Sequence, residues 1–249
     1  MRAAVLTSPG ASPPTAAFTI NSAYPKPTIP GPEWLLVRVH AAGLNRAELR
    51  SRNGETPHPP EFGMFHAEYH IEPPNILGED FVGTVEVAGS ACEGFKMGDT
   101  VAGYHFGGGK AFDGAYAQYT IVHRRRLWRF DWPGEIPWAT VAGVLCPMWT
   151  AYGSLFSAGD TRPGDTVLIH GATSAVGLWA VMLAKDRGCT VLATTRQASK
   201  KDRLLAAGAD HVILEDELRQ GAVRKIVPEG VRTVLELSLI HISEPTRPY

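Results

Sequence analysis

The sequence predicts an α/β protein in which a small, partly open β-barrel is followed by a doubly wound parallel sheet. Two observations predict this fold class. Short apolar stretches with a period of two fill the first half of the chain, whereas strands and helices alternate after about Trp132. A glycine-containing turn joins the first of these later strands to its helix, as in folds that bind dinucleotides.

The strands of the first half are short and separated by glycine and proline. The clearest are WLLVRVHAAG (Trp34 to Gly43), VGTVEVAGS (Val82 to Ser90) and GAYAQYTIV (Gly114 to Val122). Side chains that alternate between two environments are typical of strands with one face on a core. The segment from Glu55 to Pro74 has no periodicity, and we expect a long loop there.

The second half predicts four strands with helices between them. DTVLIHGA and SAVGLWAVMLAKDRG form the first strand and helix, and Gly188 ends that helix. They are followed by the strand TVLATT, the helix SKKDRLLAAG, the strand HVIL, a helix over Leu218 to Val227 and the strand VRTVLEL. This alternation predicts right-handed βαβ units around a parallel sheet. A doubly wound dinucleotide fold usually has about six strands, so we expect this sheet to be incomplete.

Composition favours a cytoplasmic globular protein. The 249 residues are 44% hydrophobic and 20% charged, with a formal net charge of -1, so neither nucleic acid nor membrane is expected as a partner. The basic run Arg124 to Arg126 is interpreted as a solvated connection. Three unpaired cysteines favour a reducing compartment. The N-terminus lacks a secretory signal pattern, and we expect no stretch of membrane-spanning length.

The motif HGATSAVG, His170 to Gly177, predicts a cofactor site because it lies between a buried strand and a helix. Gly171, at the start of the motif, allows a sharp turn, and Gly177, at its end, allows close packing of the helix. N–H groups at the helix N-terminus can bind a pyrophosphate. Serine replaces the middle glycine, and its hydroxyl can donate a hydrogen bond. The residues expected to bind the cofactor here are Gly171, Ala172, Thr173, Ser174, Ala175, Val176 and Gly177.

The second strand favours NADPH as the cofactor. No acidic residue follows TVLATT to hold a ribose 2′-hydroxyl, whereas Thr195, Arg196 and Lys200 could bind the 2′-phosphate of NADP. One charge-assisted hydrogen bond of about 1.5–3 kcal/mol would shift the cofactor preference about ten- to a hundredfold. Lys201 is interpreted as a solvated residue of the next helix.

The last twelve residues, 238–249, are predicted to be a non-native tail. SLIHISEPTRPY continues neither the strand nor a recognisable helix, and it resembles the translation of a transposon-derived adapter used in sequencing libraries. We therefore expect a protein cut short inside its second domain. An uninterrupted reading frame for these residues in the source DNA would contradict this expectation.

Several motifs together with the cofactor motif resemble the medium-chain dehydrogenase/reductase superfamily, in particular its zinc-independent quinone oxidoreductases. They are ILGEDFVGTV, GLNRAELRSRNG, GAYAQY, TAYGSL and RPGDTVLIHGATSAVG, in this superfamily's order. The resemblance implies a GroES-like catalytic domain over residues 1–128 and a partial Rossmann NADP-binding domain over residues 129–237. It also implies a small-molecule substrate and makes a homodimer a candidate assembly of the whole protein.

The same resemblance argues against a catalytic zinc. Asn45 and Glu79 stand where zinc alcohol dehydrogenases of the superfamily carry cysteine and histidine, and only Cys146 falls at a zinc-ligand position. A catalytic zinc requires about three suitable protein ligands. His66, Glu68 and His70 lie in the aperiodic insertion and are interpreted as a chance cluster, and Cys146 as a packing residue.

Asn45, Arg46 and Thr150 are the candidates for the chemistry, and Tyr104 is considered beside them. By the resemblance, Asn45 would orient the acceptor and Thr150 would contact the nicotinamide. Arg46 would be either an oxyanion donor or a salt-bridged surface group, and Tyr104 either a proton donor or a packing residue. The expected reaction is metal-free hydride transfer from NADPH to a quinone or an α,β-unsaturated carbonyl. An enoyl-thioester reductase and a nucleotide-binding protein with lost or incidental reductase activity are the alternatives.

Overall fold

The computed structural model describes residues 1–55, 73–105, 109, 112–131 and 134–238. The chain forms two compact units, Met1–Cys146 and Pro147–Tyr249. This division falls later in the chain than the predicted boundary at residues 128 and 129, because helix α2 (Trp138–Ala142) packs on strands of the first unit. The assignment of catalytic and cofactor-binding roles to the two units stays a prediction.

The first unit contains two antiparallel sheets. A five-stranded sheet has the order β7-β3-β5-β6-β8, and a three-stranded sheet has the order β2-β1-β4. Residues 43–45 connect the end of the third strand to helix α1 (Arg46–Arg52). The strands are β1 (Ala3–Leu6), β2 (Phe18–Asn21), β3 (Trp34–Ala42), β4 (Asn75–Ile76), β5 (Asp80–Ala88), β6 (Thr100–Tyr104), β7 (Tyr119–His123) and β8 (Leu127–Arg129).

Two of the three predicted strands of this unit are confirmed, and the third is shorter than expected. Strand β7 begins only at Tyr119, although the strand pattern began at Gly114. The preceding residues fold against the β4–β5 connection, where Gly114 N donates to Ile76 O and Tyr116 N donates to Leu77 O. A Cβ on Gly114 would lie 2.6 Å from backbone atoms of Leu77, so this approach requires glycine.

The second unit is the predicted parallel sheet with helices. Its strands have the order β11-β10-β9-β12, and every neighbouring pair is parallel. The strands are β9 (Thr166–His170), β10 (Thr190–Thr195), β11 (His211–Leu214) and β12 (Thr233–Glu236). The helices are α3 (Leu145–Tyr152), which begins in the first unit, α4 (Ala175–Asp186), α5 (Lys201–Ala206), α6 (Glu215–Arg219) and α7 (Ala222–Ile226).

Alternating residues of the central strand β9 pack into two different hydrophobic cores. Val167 and Ile169 pack with the buried face of α4, whereas Leu168 packs with β10, β11 and α7. Each of these three side chains is at most 1% exposed. The two-sided burial explains the continuous apolar run of this strand, and it fixes the point at which the chain leaves the sheet.

The prediction of a single helix over Leu218 to Val227 is wrong. The structure has α6, which begins before Leu218, and α7, which begins at Ala222. Gly221 separates them in the left-handed region with a φ of 79°. Because glycine adopts this conformation without a steric penalty, the chain turns there instead of continuing the first helix.

The stretch Trp138–Ala158 is long and apolar enough, by length and composition, to cross a membrane. The sequence-based expectation that no stretch reaches that length was therefore wrong. The stretch consists of α2, α3 and a π-helical segment, Gly153–Ala158. Ala142, Ala151 and Leu155 are fully buried in cores of the protein, and 22% of the most apolar 18 residues of the stretch is buried.

Candidate functional site

The turn between β9 and α4 has the geometry that its two glycines predict. Gly171 has a φ of 76°, and a Cβ on this residue would lie 3.2 Å from the backbone of Leu237 and Ser238. A Cβ on Gly177 would lie 2.6 Å from the Cα atom of Ala172. Gly171 therefore permits the sharp turn out of the sheet, and Gly177 permits close approach of the helix.

Ser174 caps helix α4. Its Oγ accepts a hydrogen bond from Gly177 N at 3.0 Å, and its backbone carbonyl accepts from Leu178 N at 2.9 Å. Because Oγ accepts in this cap, the hydroxyl proton remains a donor for a ligand. The replacement of the middle glycine thus gives the helix an N-cap, and the side chain remains exposed at the turn.

The first turn of α4 offers N–H groups that the helix itself cannot satisfy. Ser174 N donates to Gly171 O and Gly177 N donates to the serine side chain, while Ala175 and Val176 occupy the remaining first-turn positions. Their N–H groups have no carbonyl partner within the helix. Ser174 and Ala175 are exposed, whereas Ala172 is fully buried and Thr173 is half-buried. This arrangement fits a diphosphate.

The end of β10 carries the cationic candidates. Thr195 is buried, and its Oγ accepts a hydrogen bond from Gln197 N at 3.2 Å, which shapes the turn after the strand. The side chain of Arg196 is exposed, and Lys200 is half-buried immediately before α5. Lys201 instead lies 3.7 Å from the carboxylate of Glu217. Arg196 and Lys200 therefore offer the charge available to a 2′-phosphate.

A network of buried carboxyl groups surrounds Asn45 in the first unit. Asn45 Nδ2 donates to Asp80 Oδ1 at 2.7 Å, and Asp80 Oδ2 accepts from Cys146 N at 3.0 Å. Glu48 accepts from Asn45 N through Oε2 at 2.5 Å and from Glu79 N through Oε1 at 2.9 Å. The half-buried amide of Asn45 is thus held in one orientation, and the second N–H of its NH2 group can donate to a ligand.

Burial dominates the electrostatics of this network. It raises the pKa of Glu48 and of Asp80, although the hydrogen bonds that each carboxylate accepts oppose the effect. Burial, followed by the charge of Asp80, also raises the pKa of the Cys146 thiol to about 11. Cys146 is therefore a neutral thiol near neutral pH, consistent with packing and unlike a nucleophile.

Tyr104 belongs to the same network. Its hydroxyl donates to Glu79 Oε2 at 3.3 Å and lies 3.9 Å from Cys146 Sγ. Burial and the neighbouring Glu79 raise the pKa of Tyr104 far above its ordinary range. The hydroxyl is therefore a protonated donor at neutral pH, and a role as proton donor or as packing residue stays a prediction.

The remaining catalytic candidates lie on exposed helical positions. Arg46 is the exposed first residue of α1, and Thr150 is exposed on α3. Arg46 lies in the first unit and Thr150 in the second, so their meeting at one reacting centre stays a prediction.

No group of three or more histidine, cysteine or acidic residues that could hold a metal ion occurs among the residues that the structure describes. Asn45, Glu79 and Cys146 offer one amide, one carboxylate that accepts from Tyr104 and one thiol, whereas a catalytic zinc usually has about three cysteine, histidine or carboxylate ligands. The cluster His66, Glu68 and His70 lies outside the described residues.

Sequence reasoning missed several members of these sites. Glu48 stands three residues after Asn45, the spacing of a capping box, and this signal could have identified it. Asp80 was read only as part of a family motif. His170, Glu215 and Glu236 form a hydrogen-bonded cluster beside the turn from Gly171 to Gly177, and they are far apart in sequence. No local pattern could have joined them.

Two family profiles match the chain. The profile described as alcohol dehydrogenase GroES-like domain matches residues 31–132. The profile described as zinc-binding dehydrogenase matches residues 175–242. Their order along the chain is that of the two compact units.

Among curated proteins, the human quinone oxidoreductase is 28% identical over 211 residues, which are 84% of this chain and 59% of that protein. The chain thus spans about 59% of the length of the curated relatives it matches.

Several solved structures are also similar to this chain. The structure of AibC superposes with a TM-score of 0.80 at 31% identity, over 95% of this chain and 68% of AibC. A mycobacterial protein solved in complex with NADPH has a TM-score of 0.74 at 28% identity, over 94% of this chain and 66% of that protein. An NAD-dependent alcohol dehydrogenase has a TM-score of 0.78 at 28% identity, over 94% of this chain and 70% of that enzyme.

Proposed function

Because this chain belongs to the medium-chain dehydrogenase/reductase superfamily, in its quinone oxidoreductase-like branch, we propose that it is part of an NADPH-dependent reductase of quinones or α,β-unsaturated carbonyls. Oxidoreductase function follows from the relatives, whereas the choice of NADPH and of the acceptor class is our own inference. The proposal concerns the whole protein, of which this chain carries the catalytic-type unit and four strands of the nucleotide-binding sheet.

The observation that carries the proposal is the turn from Gly171 to Gly177. It combines a left-handed glycine, an exposed capped helix N-terminus and a close helix contact at Gly177. The positive end of the helix dipole favours an anion at this point. The solved NADPH complex and the NAD-dependent enzyme among the relatives both support a nicotinamide dinucleotide as the ligand.

The charges after β10 favour NADPH over NADH. Arg196 and Lys200 are cationic, and the residues between Thr195 and Lys201 include no carboxylate that would repel a 2′-phosphate. A bidentate guanidinium contact suits phosphate geometry. Arg196 would therefore bind the 2′-phosphate, with Lys200 as a second cation.

When bound, NADPH would supply a hydride from C4 of its nicotinamide. Asn45 would orient the carbonyl acceptor by hydrogen bonding, with Asp80 fixing the amide in place. Thr150 would contact the nicotinamide. Water would supply the proton that completes the reduction, since a quinone or enone product delocalises its negative charge and needs no Lewis acid. No step of this proposal uses a metal.

Binding and turnover test the proposal separately. NADPH and NADH are titrated against the protein by fluorescence quenching, and oxidation of NADPH is followed with a simple quinone, an enone and an enoyl thioester. Tighter binding of NADPH together with quinone or enone turnover is the expected result. Turnover of the thioester alone would favour the enoyl-thioester reductase, and binding without turnover in a chain extended to the length of its relatives would favour a nucleotide-binding protein. Absence of binding would contradict all three.

The cellular setting is part of the proposal. Among the described residues, Cys92, Cys146 and Cys189 form no disulfide, which suits a cytoplasmic enzyme acting on a small molecule. Size-exclusion chromatography with light scattering of the whole protein tests the proposed homodimer, and a monomer at micromolar concentration would contradict it.

A further inference from the structure

His170 lies between two carboxylates at the end of strand β9. Its Nδ1 is 2.5 Å from Glu236 Oε2, and its Nε2 is 2.9 Å from Glu215 Oε2. The side chain of His170 is 8% exposed, against 18% for Glu215 and 30% for Glu236. This buried cluster has no role in the proposed hydride transfer described above.

The cluster occupies the carboxyl edge of the parallel sheet. His170 is the last residue of β9, Glu236 is the last residue of β12, and Glu215 directly follows β11. Strands β10 and β11 lie on one side of β9, and β12 lies on the other. Ligands of doubly wound sheets bind at this edge, where the strand order reverses.

Backbone contacts join the cluster to the phosphate-binding turn. Glu236 Oε1 accepts from Ser238 N at 2.6 Å, and Leu237 N donates to His170 O at 3.0 Å. The same Leu237–Ser238 backbone lies against Gly171, the residue after His170. The histidine and the first residue of the turn thus contact the same short backbone segment, Leu237–Ser238.

The charge state of His170 follows from its partners. Both carboxylates accept hydrogen bonds, and only an imidazolium donates from both ring nitrogens. Burial alone would lower the pKa of His170, but the hydrogen bonds to Glu236 and Glu215 outweigh it, and the pKa is raised. Protonation reduces the charge of the cluster from two negative units to one.

The other charged groups on the surrounding elements are exposed or have partners of their own. On α6, Asp216 continues the acidic first turn, and Glu217 accepts from Leu214 N at 2.7 Å. On α7, Arg224 donates to Pro228 O at 2.9 Å, and Lys225 is exposed. Strand β10 ends in the uncharged residues Thr194 and Thr195. Glu215 and Glu236 are thus the charged groups in hydrogen-bond contact with His170 among the described residues.

We propose that His170 is a positioning residue for the dinucleotide: held as an imidazolium between Glu215 and Glu236, it fixes the turn at Gly171 and neutralises acidic charge that would repel the cofactor phosphates. The inference rests on the proposed function. It makes NADPH affinity depend on protonation of this cluster, with tight binding below the pKa of His170 and weaker binding as the pH rises through it.

The test measures the dissociation constant of NADPH from about pH 6 to about pH 9, the range around and above the ordinary histidine pKa. The proteins are the wild type, H170Q, E215Q and H211Q. Glutamine keeps hydrogen-bonding capacity but cannot become a cation. His211 is an exposed histidine of the same sheet, at the opposite end of its strand, and serves as the matched control. The 2′-phosphate of NADPH titrates equally in all four, so differences between proteins report the cluster.

We expect the wild-type dissociation constant to rise roughly tenfold with pH, as the loss of one nearby unit charge predicts. H170Q should bind NADPH weakly even at the lowest pH, and its dissociation constant should not show the tenfold rise with pH. H211Q should show the same affinity and pH dependence as the wild type. E215Q retains the Glu236 contact, so it should bind at least as tightly as the wild type at low pH, with its midpoint moved to lower pH. That shift tests the inference even if H170Q does not fold.

A purely structural role would weaken H170Q and E215Q equally at every pH, and this result would overturn the inference. So would a wild-type affinity and pH profile in H170Q. If the wild type bound no NADPH at any pH, this result would contradict both the proposed function and the inference. NADPH binding without a difference among the four proteins would overturn the inference alone.

Discussion

The side-chain amide of Asn45 donates a hydrogen bond of 2.7 Å to the carboxylate of Asp80. Asp80 is fully buried at the start of β5, and Asn45 directly precedes α1. The other oxygen of the same carboxylate accepts from Cys146 N. One buried carboxylate thus joins three chain segments and fixes the orientation of the residue proposed to hold the acceptor.

Replacing Asn45 with aspartate should destabilise the protein by about 1–3 kcal/mol at pH 8, because two carboxylates would then face each other without a donor. Protonation of one of them restores a donor, so the loss should shrink toward pH 5. Urea denaturation at both pH values measures the effect. Asn21→Asp is the control, since Asn21 accepts from Ala23 N through Oδ1 and aspartate can do the same. Equal stability of N45D and wild type at pH 8 would contradict the proposed network.

Gly177→Ala should destabilise the second unit by about 1–3 kcal/mol and weaken NADPH binding, because the new Cβ would overpack the turn. A Cβ at this position would lie 2.6 Å from Ala172 Cα. Gly153→Ala is the matched control, since nothing lies within 4 Å of a Cβ at that position. The control should be neutral or slightly stabilising. Thermal unfolding and NADPH titration measure both variants, and similar behaviour of the two would refute the close-packing argument.

Arg196→Ala should weaken NADPH binding about ten- to a hundredfold and leave NADH binding unchanged, through loss of one charge-assisted hydrogen bond. Arg203 is an exposed arginine on α5, and R203A is the control for general charge effects. Titration with both nucleotides separates recognition of the 2′-phosphate from a general charge effect. A parallel loss of affinity for NADH would show that Arg196 does not recognise the 2′-phosphate.

The buried His105 should make stability fall as the pH decreases. It is 1% exposed and lies 3.0 Å from the hydroxyl of Thr120, and burial lowers its pKa to about 3. The neutral form is favoured in the folded state, so its contribution is complete above the unfolded-state pKa of about 6.5 and is lost toward about pH 3.

In H105Q the dependence on pH should decrease by up to about 1.4 kcal/mol per pH unit between about pH 6 and about pH 4. Denaturant unfolding of the two proteins across this range measures the difference. His123→Gln is the control, because His123 lies partly exposed 3.5 Å from Glu33. An unchanged slope in H105Q would mean that the histidine is not buried as a neutral group.

Much of the second unit could be predicted from local sequence alone. The apolar run of β9, the glycine turn and the helix ended by Gly188 each follow from residues close together in the chain. The single helix predicted over Leu218 to Val227 failed because its apolar spacing could not reveal the turn at Gly221. Glycine inside a helical pattern is ambiguous, and its backbone conformation settles the outcome.

By itself, the sequence determined the fold class, the position of the glycine turn after β9 and the cationic residues after β10, because each depends on neighbours within a few residues. Only the tertiary structure decided which distant groups meet. Asp80 fixes Asn45, and Glu215 and Glu236 enclose His170, across separations of 35, 45 and 66 residues. The physical reason is that burial leaves a charged side chain few partners, and the packing of strands from separate parts of the chain selects them.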